Sequence, residues 1–183
     1  MNKKLEVIQE ENSDCGISCL ASIVKYYGGY IPLEVLRINT NTDNNGTSAY
    51  NIINYANKIG FYAYGEKIDN INNLKLPVIA HLKLENGYYH FVVIYKIEKK
   101  YFLIMDPSVG FKKMNKNDFQ KIFTNIIINF NNISVLPIYN DNKFIRNEFI
   151  KYVRDNKKSI TYILLLKQTF IFIIFLFFIC CII

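Results

Sequence analysis

The apolar pattern of this chain changes period near residue 60, and that change limits the fold more than any other feature. Before it, Ile17, Leu20, Ala21, Ile23 and Val24 recur at helical spacing and predict a helix over Cys15 to Tyr27 that stops at Gly28-Gly29. Pro32 opens a short second helix to Ile38, and Thr47 or Ser48 caps a third that runs to Lys58 and ends at Gly60. After it, short runs rich in β-branched and aromatic residues predict strands at Phe61 to Lys67, Val78 to Leu84, Tyr89 to Lys96, Tyr101 to Met105 and Ile126 to Leu136. Glu85-Asn86-Gly87 and Glu98-Lys99-Lys100 suit hairpin turns, and a short helix over Lys116 to Phe123 precedes the last strand. Helices first and an antiparallel sheet second make an α+β fold with a site between the two halves.

The first helix starts with a thiol. Asp14 is a good N-cap and places Cys15 in the first turn, where unpaired backbone N–H groups and the macrodipole favour a negative, nucleophilic sulfur. His90 opens one strand and Asp106 closes the next, just before Pro107. Cys, then His, then Asp or Asn is the chain order of papain-like hydrolases. The chemistry needs a thiolate to attack a carbonyl, an imidazole to hold and donate the proton, and a carboxylate or amide to orient the imidazole. Gln9, six residues before Cys15, can point its amide at the oxygen that becomes negative during attack, which makes it the candidate oxyanion donor.

Gln9, Asp14-Cys15-Gly16, Cys19-Leu20, Tyr26-Tyr27-Gly28, His90-Phe-Val-Val and Asp106-Pro107 together resemble the double-glycine leader peptidases, papain-like domains that begin many bacteriocin-exporting ABC transporters. The resemblance extends over about the first 139 residues, with further matches at Gly46-Thr47-Ser48, Ile59-Gly60-Phe61, Pro77 to His81 and Leu136-Pro137. It implies Cys15 as nucleophile, His90 as general base and acid, Asp106 as orienter and Gln9 as oxyanion donor. It also implies hydrolysis through a thioester after a Gly-Gly pair, with no metal or cofactor, and a leader-bearing precursor peptide as substrate. Cys19, one turn into the helix among Leu20, Ile23 and Val24, reads as core. His81 reads as structural, because the family places catalysis on the later histidine.

Charge and hydropathy point to a membrane beside this domain. Residues 1–139 carry a net charge of +3, and residues 140–183 carry +4 in a quarter of the length. Lys151, Arg154, Lys157 and Lys158 precede a run from Phe170 to Ile183 without a charged residue, as the positive-inside rule expects of a cytoplasmic flank. Those fourteen residues extend roughly 21 Å as a helix, against a hydrocarbon thickness of about 30 Å. The expected organisation is therefore a cysteine peptidase domain at 1–139, a basic juxtamembrane linker at 140–160 and a partial transmembrane helix at 161–183. The family's remaining spans and ATPase domain are absent from this chain. It reads as a truncated transporter, a subunit of a split one, or a peptidase with a vestigial anchor.

Other classes find little support. No nucleic-acid module is visible behind the pI of about 9.1. Cys180 and Cys181 are sequence neighbours, Cys15 and Cys19 are one turn apart, and two histidines without a CxxC pair do not make a zinc site. Met1-Asn-Lys-Lys is followed by polar residues, unlike a cleavable signal peptide, so the domain is expected to face the cytosol at a bacterial cytoplasmic membrane. Two functions stay open: an active leader peptidase, and a non-catalytic peptidase-like domain that docks leaders at a transporter.

Overall fold

A computed structural model describes residues 3–71, 74–132, 134–139, 146, 150–159, 161–162 and 167. After a 3₁₀ turn at Lys3–Leu5 come three helices, α1 (Cys15–Tyr26), α2 (Leu33–Asn39) and α3 (Ala49–Lys58). Six strands follow: β1 (Phe61–Lys67), β2 (Val78–Lys83), β3 (Tyr89–Ile97), β4 (Tyr101–Asp106), β5 (Gly110–Asn115) and β6 (Phe123–Asn132), with α4 (Lys116–Ile122) before the last. They form one antiparallel sheet in the order β1-β6-β2-β3-β4-β5, an α+β architecture. Each half of the sequence thus forms the element type its periodicity dictates.

The register aligns the site. Leu82 pairs with His90 between β2 and β3, and Val93 pairs with Met105 between β3 and β4, so His90 and Asp106 lie toward one end of adjacent strands. The face toward α4 is filled by Val78, Ala80, Leu82, Val92, Ile94, Phe102, Ile104, Phe119 and Ile127. Phe102 and Phe119 meet at 4.7 Å between ring centroids, and burying an aromatic or branched side chain of this kind contributes about 1.5–3 kcal/mol. In α1, Ile17, Leu20, Ile23 and Val24 are fully buried, and α1 packs on β3.

Three details depart from the sequence pattern. β5 was not announced, because Gly-Phe-Lys-Lys-Met-Asn shows no clean alternation. Its partner specifies it instead, in a register from Asp106↔Gly110 to Tyr101↔Asn115, and lysines suit an edge strand. β6 starts at Phe123 and ends at Asn132, with Asn125 in the left-handed region at φ 64°. Leu136 therefore lies outside it. The segment past β6 leaves the sheet and pairs with Tyr30, whose N–H donates to Pro137 O (3.0 Å) while Tyr139 N–H donates to Tyr30 O (2.9 Å). Finally, Asp14 precedes α1 but makes no side-chain cap; Ser48 does cap α3, accepting from Asn51 N–H at 3.2 Å.

The chain divides into two units, Met1–Tyr139 and Asn140–Ile183. Described residues of the second are helical at 150–155 and 157–159. No described helix is long and apolar enough to cross a membrane. The apolar run from Phe170 lies outside the described residues, as do Cys180 and Cys181.

Candidate active site

Cys15 is the first residue of α1, half-buried with a free thiol. Its neighbour must be small: a Cβ on Gly16 would lie 2.5 Å from Thr47 Cγ2 and 2.9 Å from Ile52 Cδ1, so α3 and the loop before it press directly on the first turn. The turn is held from the other side by Asp14. Its carboxylate, 0% exposed, accepts from Arg37 Nε (3.1 Å), Arg37 Nη2 (2.8 Å) and Glu11 N–H (3.0 Å). Arg37 also donates to Glu10 Oε2 at 3.2 Å. Burial alone would raise the Asp14 pKa, but the guanidinium and the backbone donor outweigh it and hold it below the usual carboxylate value. The expected cap is thus a buried, bidentate ion pair that fastens the Gln9–Asp14 loop to α2.

His90 and Asp106 meet across the two strands, with His90 Nε2 2.8 Å from Asp106 Oδ1. Cys15 lies near enough to the same imidazole to help raise its pKa. Burial disfavours the imidazolium, but the hydrogen bond and negative charge of Asp106, with a further contribution from the nearby Cys15, overcome it and lift the His90 pKa to about 9. Asp106 accepts further from Ser108 N–H (3.0 Å) and Ser108 Oγ (2.7 Å), and its Oδ2 pairs with Lys112 Nζ at 2.7 Å. Despite burial, which works the other way, these donors hold its carboxyl far below the usual range.

Gln9 lies beside this cluster. Its backbone N–H donates to Pro107 O at 2.9 Å, and its side-chain oxygen is buried without a hydrogen-bond partner. Glu6 secures the same segment, its carboxylate accepting from Phe111 N–H at 3.1 Å, across Gly110. Gly110 has φ +87°, and a Cβ there would lie 2.6 Å from Glu6 Oε2.

The structure therefore joins His90 to Asp106 directly, with Cys15 near enough to act on the His90 pKa and Gln9 tied to the turn after Asp106. Cys19 is fully buried, and desolvation pushes its thiol well above the ordinary value. His81 bonds Thr124 Oγ1 through Nδ1 (2.8 Å) and stacks on Tyr89 at 5.0 Å between centroids. Among the described residues no cluster of three His, Cys, Asp or Glu could hold a metal ion.

Sequence reasoning missed Arg37, Ser108 and Lys112. Arg37 carries a signal in retrospect, as the sole arginine in residues 1–139. Ser108 follows Asp-Pro in a turn, and Lys112 was invisible because β5 was.

The model of the peptidase C39 family matches residues 3–134. The chain is 34% identical over 126 residues to the lactococcin-G-processing and transport ATP-binding protein LagD of Lactococcus lactis subsp. lactis, across 67% of this chain and 18% of LagD. It spans, then, about a fifth of that relative's length. Among solved structures, the peptidase domain of Streptococcus ComA, a bi-functional ABC transporter involved in a quorum sensing pathway, superposes with a TM-score of 0.64 at 32% identity. That match covers 72% of this chain and 96% of the domain. A double glycine motif protease from an AMS/PCAT transporter, in complex with the leader peptide, matches with a TM-score of 0.65 at 29% identity over 70% of this chain and 91% of that one. The matched span runs from the 3₁₀ turn past the last strand and encloses Cys15, His90 and Asp106; by sequence and by fold, the chain belongs to the peptidase C39 family.

Proposed function

We propose that the chain is a papain-like cysteine endopeptidase that removes the leader of a secreted, bacteriocin-like peptide after a Gly-Gly pair, coupled to export by an ABC transporter. The observation that carries this reading is the half-buried Cys15 thiol beside an imidazole that a buried carboxylate binds at 2.8 Å. Cys15 as thiolate attacks the carbonyl of the second glycine, forming a C–S bond. The Gln9 amide and the Cys15 backbone N–H stabilise the oxyanion. His90 gives its proton to the departing amine as the C–N bond breaks, leaving a thioester on the leader. Water, deprotonated by His90, then breaks the thioester and restores the thiol. Asp106 keeps the imidazole turned toward the sulfur throughout. The glycine pair suits a narrow cleft, because side chains there clash.

The partners of this reaction are a leader-bearing precursor peptide, the membrane, and transporter spans with an ATPase domain. Residues 1–139 act as the peptidase domain on the cytosolic face of a bacterial cytoplasmic membrane. Residues 140–160 form the basic linker, and 161–183 is the segment that enters the membrane. Support for this arrangement comes from the relatives' transport and processing names and from the basic residues ahead of the apolar run.

Activity should follow the His90 proton. A raised pKa means the imidazolium is stabilised in the folded chain. Its contribution to stability is full below about 6.5, the ordinary histidine value, and is lost as pH rises through about 9. The imidazolium must protonate the leaving amine, so kcat/KM should fall on the alkaline side with a midpoint of about 9. A limb centred near the ordinary histidine value instead would contradict the coupling of His90 to Asp106 and Cys15.

The reading is tested with the full chain in detergent and synthetic precursors whose helical leaders end in Gly-Gly, followed by mass spectrometry. Cleavage directly after the second glycine, abolished when that pair is replaced by leucines, is the expected result. If no such precursor is cut yet leaders still bind, the chain is a docking domain and the proposal fails.

A further inference from the structure

Asp106 is held from both sides, and the two sides make different demands. Oδ1 accepts three hydrogen bonds, from His90 Nε2, Ser108 N–H and Ser108 Oγ, at 2.8, 3.0 and 2.7 Å. Oδ2 faces Lys112 Nζ at 2.7 Å, reaching over from β5. Every donor thus has an oxygen to bond, and an ammonium has no acceptor to offer in exchange. A carboxamide at position 106 cannot satisfy this set. Turned one way, its NH2 meets the Lys112 ammonium, donor against donor; turned the other, it meets His90 Nε2 and both Ser108 donors.

We propose that Lys112 is a positioning residue: it fixes the rotation of the Asp106 carboxylate against His90 and makes a carboxylate, not a carboxamide, obligatory at that position. Lys112 is 36% exposed and Asp106 7%, so the cation plugs the solvent side of a buried anion without itself being buried. The register delivers it, since Asp106↔Gly110 closes the β4–β5 turn and Lys112 then stands opposite Ile104 on the edge strand. The charged and titratable groups that face the carboxylate are His90 from β3, Lys112 from β5 and, through space, Cys19 from α1, while Cys15 acts on the imidazole. Lys112 and the His90 imidazolium therefore share one counter-charge.

The inference rests on the cysteine-peptidase reading, but one of its readouts does not. The full chain in detergent is compared with Lys112→Gln, Lys112→Arg, Asp106→Asn and the pairs of Asp106→Asn with Lys112→Gln and with Lys112→Arg. The first readout is kcat/KM on a Gly-Gly precursor, and the second is the His90 titration by NMR of labelled imidazole. With two histidines in the chain, a His81→Asn spectrum completes the assignment.

Removing the competing cation should raise the His90 midpoint by roughly half a unit to one unit in Lys112→Gln, whereas Lys112→Arg should leave it in place. Asp106→Asn should cost on the order of 10⁴-fold in kcat/KM when Lys112 is present. In the Lys112→Gln background it should cost at least about tenfold less, because the new amide at position 112 can accept from the asparagine NH2. A purely structural role of Lys112 produces no such rescue. An equal cost in both backgrounds, with the His90 midpoint unmoved in Lys112→Gln, overturns the proposal. Should Lys112→Gln fail to fold, Lys112→Arg carries the comparison: the guanidinium still blocks a carboxamide, so a markedly smaller cost of Asp106→Asn there overturns it equally. If the parent chain cuts no precursor, the peptidase reading fails on its own, and the His90 titration still decides the role of Lys112.

Discussion

Cys15→Ala should abolish cleavage, with a loss on the order of 10⁶-fold, the scale seen when a hydrolase loses its nucleophile. The argument rests on what remains. The other described thiol, Cys19, is one turn further along α1, fully buried, with its ionisation suppressed by desolvation, so it cannot take over the attack. A water bound near His90 lacks the sulfur's nucleophilicity and the covalent intermediate that splits the reaction in two. The fold should not suffer: Cys15 is half-buried, and its replacement removes a single sulfur atom at a helix start that alanine tolerates well. Circular dichroism should show an unchanged melting profile while mass spectrometry shows intact precursor. Product from Cys15→Ala at more than background would sink the thioester mechanism.

Arg37→Ala should destabilise the fold by about 3–5 kcal/mol, because it strips the partner from a carboxylate with no access to water. Alanine leaves Asp14 with one backbone donor, from Glu11, and a charge that the interior cannot screen. The pH dependence has a definite sign. In the parent chain the Asp14 pKa is lowered, so its pairing contributes stability above the usual carboxylate range and loses it as pH falls through the lowered value. In Arg37→Ala the unpaired carboxylate prefers to be neutral. The gap between variant and parent should then shrink as the medium is acidified toward about pH 4. Asp14→Asn combined with Arg37→Ala should recover part of the loss at neutral pH. Urea unfolding at pH 7 and pH 4 measures both effects, and a loss below about 1 kcal/mol at pH 7 would show that the pair is no stronger than an exposed one. Cleavage should fall as well, since the same loop carries Gln9, the proposed oxyanion donor.

The extent to which the sequence announced this molecule differs from element to element. β1 begins and ends where alternation placed it, and α1 starts at Cys15 as the loop-to-helix transition implied. Both carry their own signal, one in a period of two and the other in a period of 3.6. β5 carries none of its own, because two lysines interrupt any apolar alternation and pairing with β4 decides its conformation. The site shows the same division. Cys15, His90 and Asp106 stand out in the sequence as residue types with reactive chemistry, and the structure sets His90 against Asp106 at 2.8 Å. Lys112 and Ser108 do not stand out, because what recruits them is the geometry of a turn. Asp14 was legible in type and wrong in partner: an aspartate before a helix reads as a cap, yet Arg37, twenty-three residues later, takes the carboxylate away from the helix N–H groups.

The pairing of Tyr30 with Pro137 and Tyr139 has a mechanical meaning. Tyr30 lies just beyond the Gly28-Gly29 stop of α1, and α1 is a twelve-residue rod of about 18 Å with Cys15 at its opposite end. The C-terminal end of the 1–139 unit is therefore fastened at the foot of the helix whose far end carries Cys15.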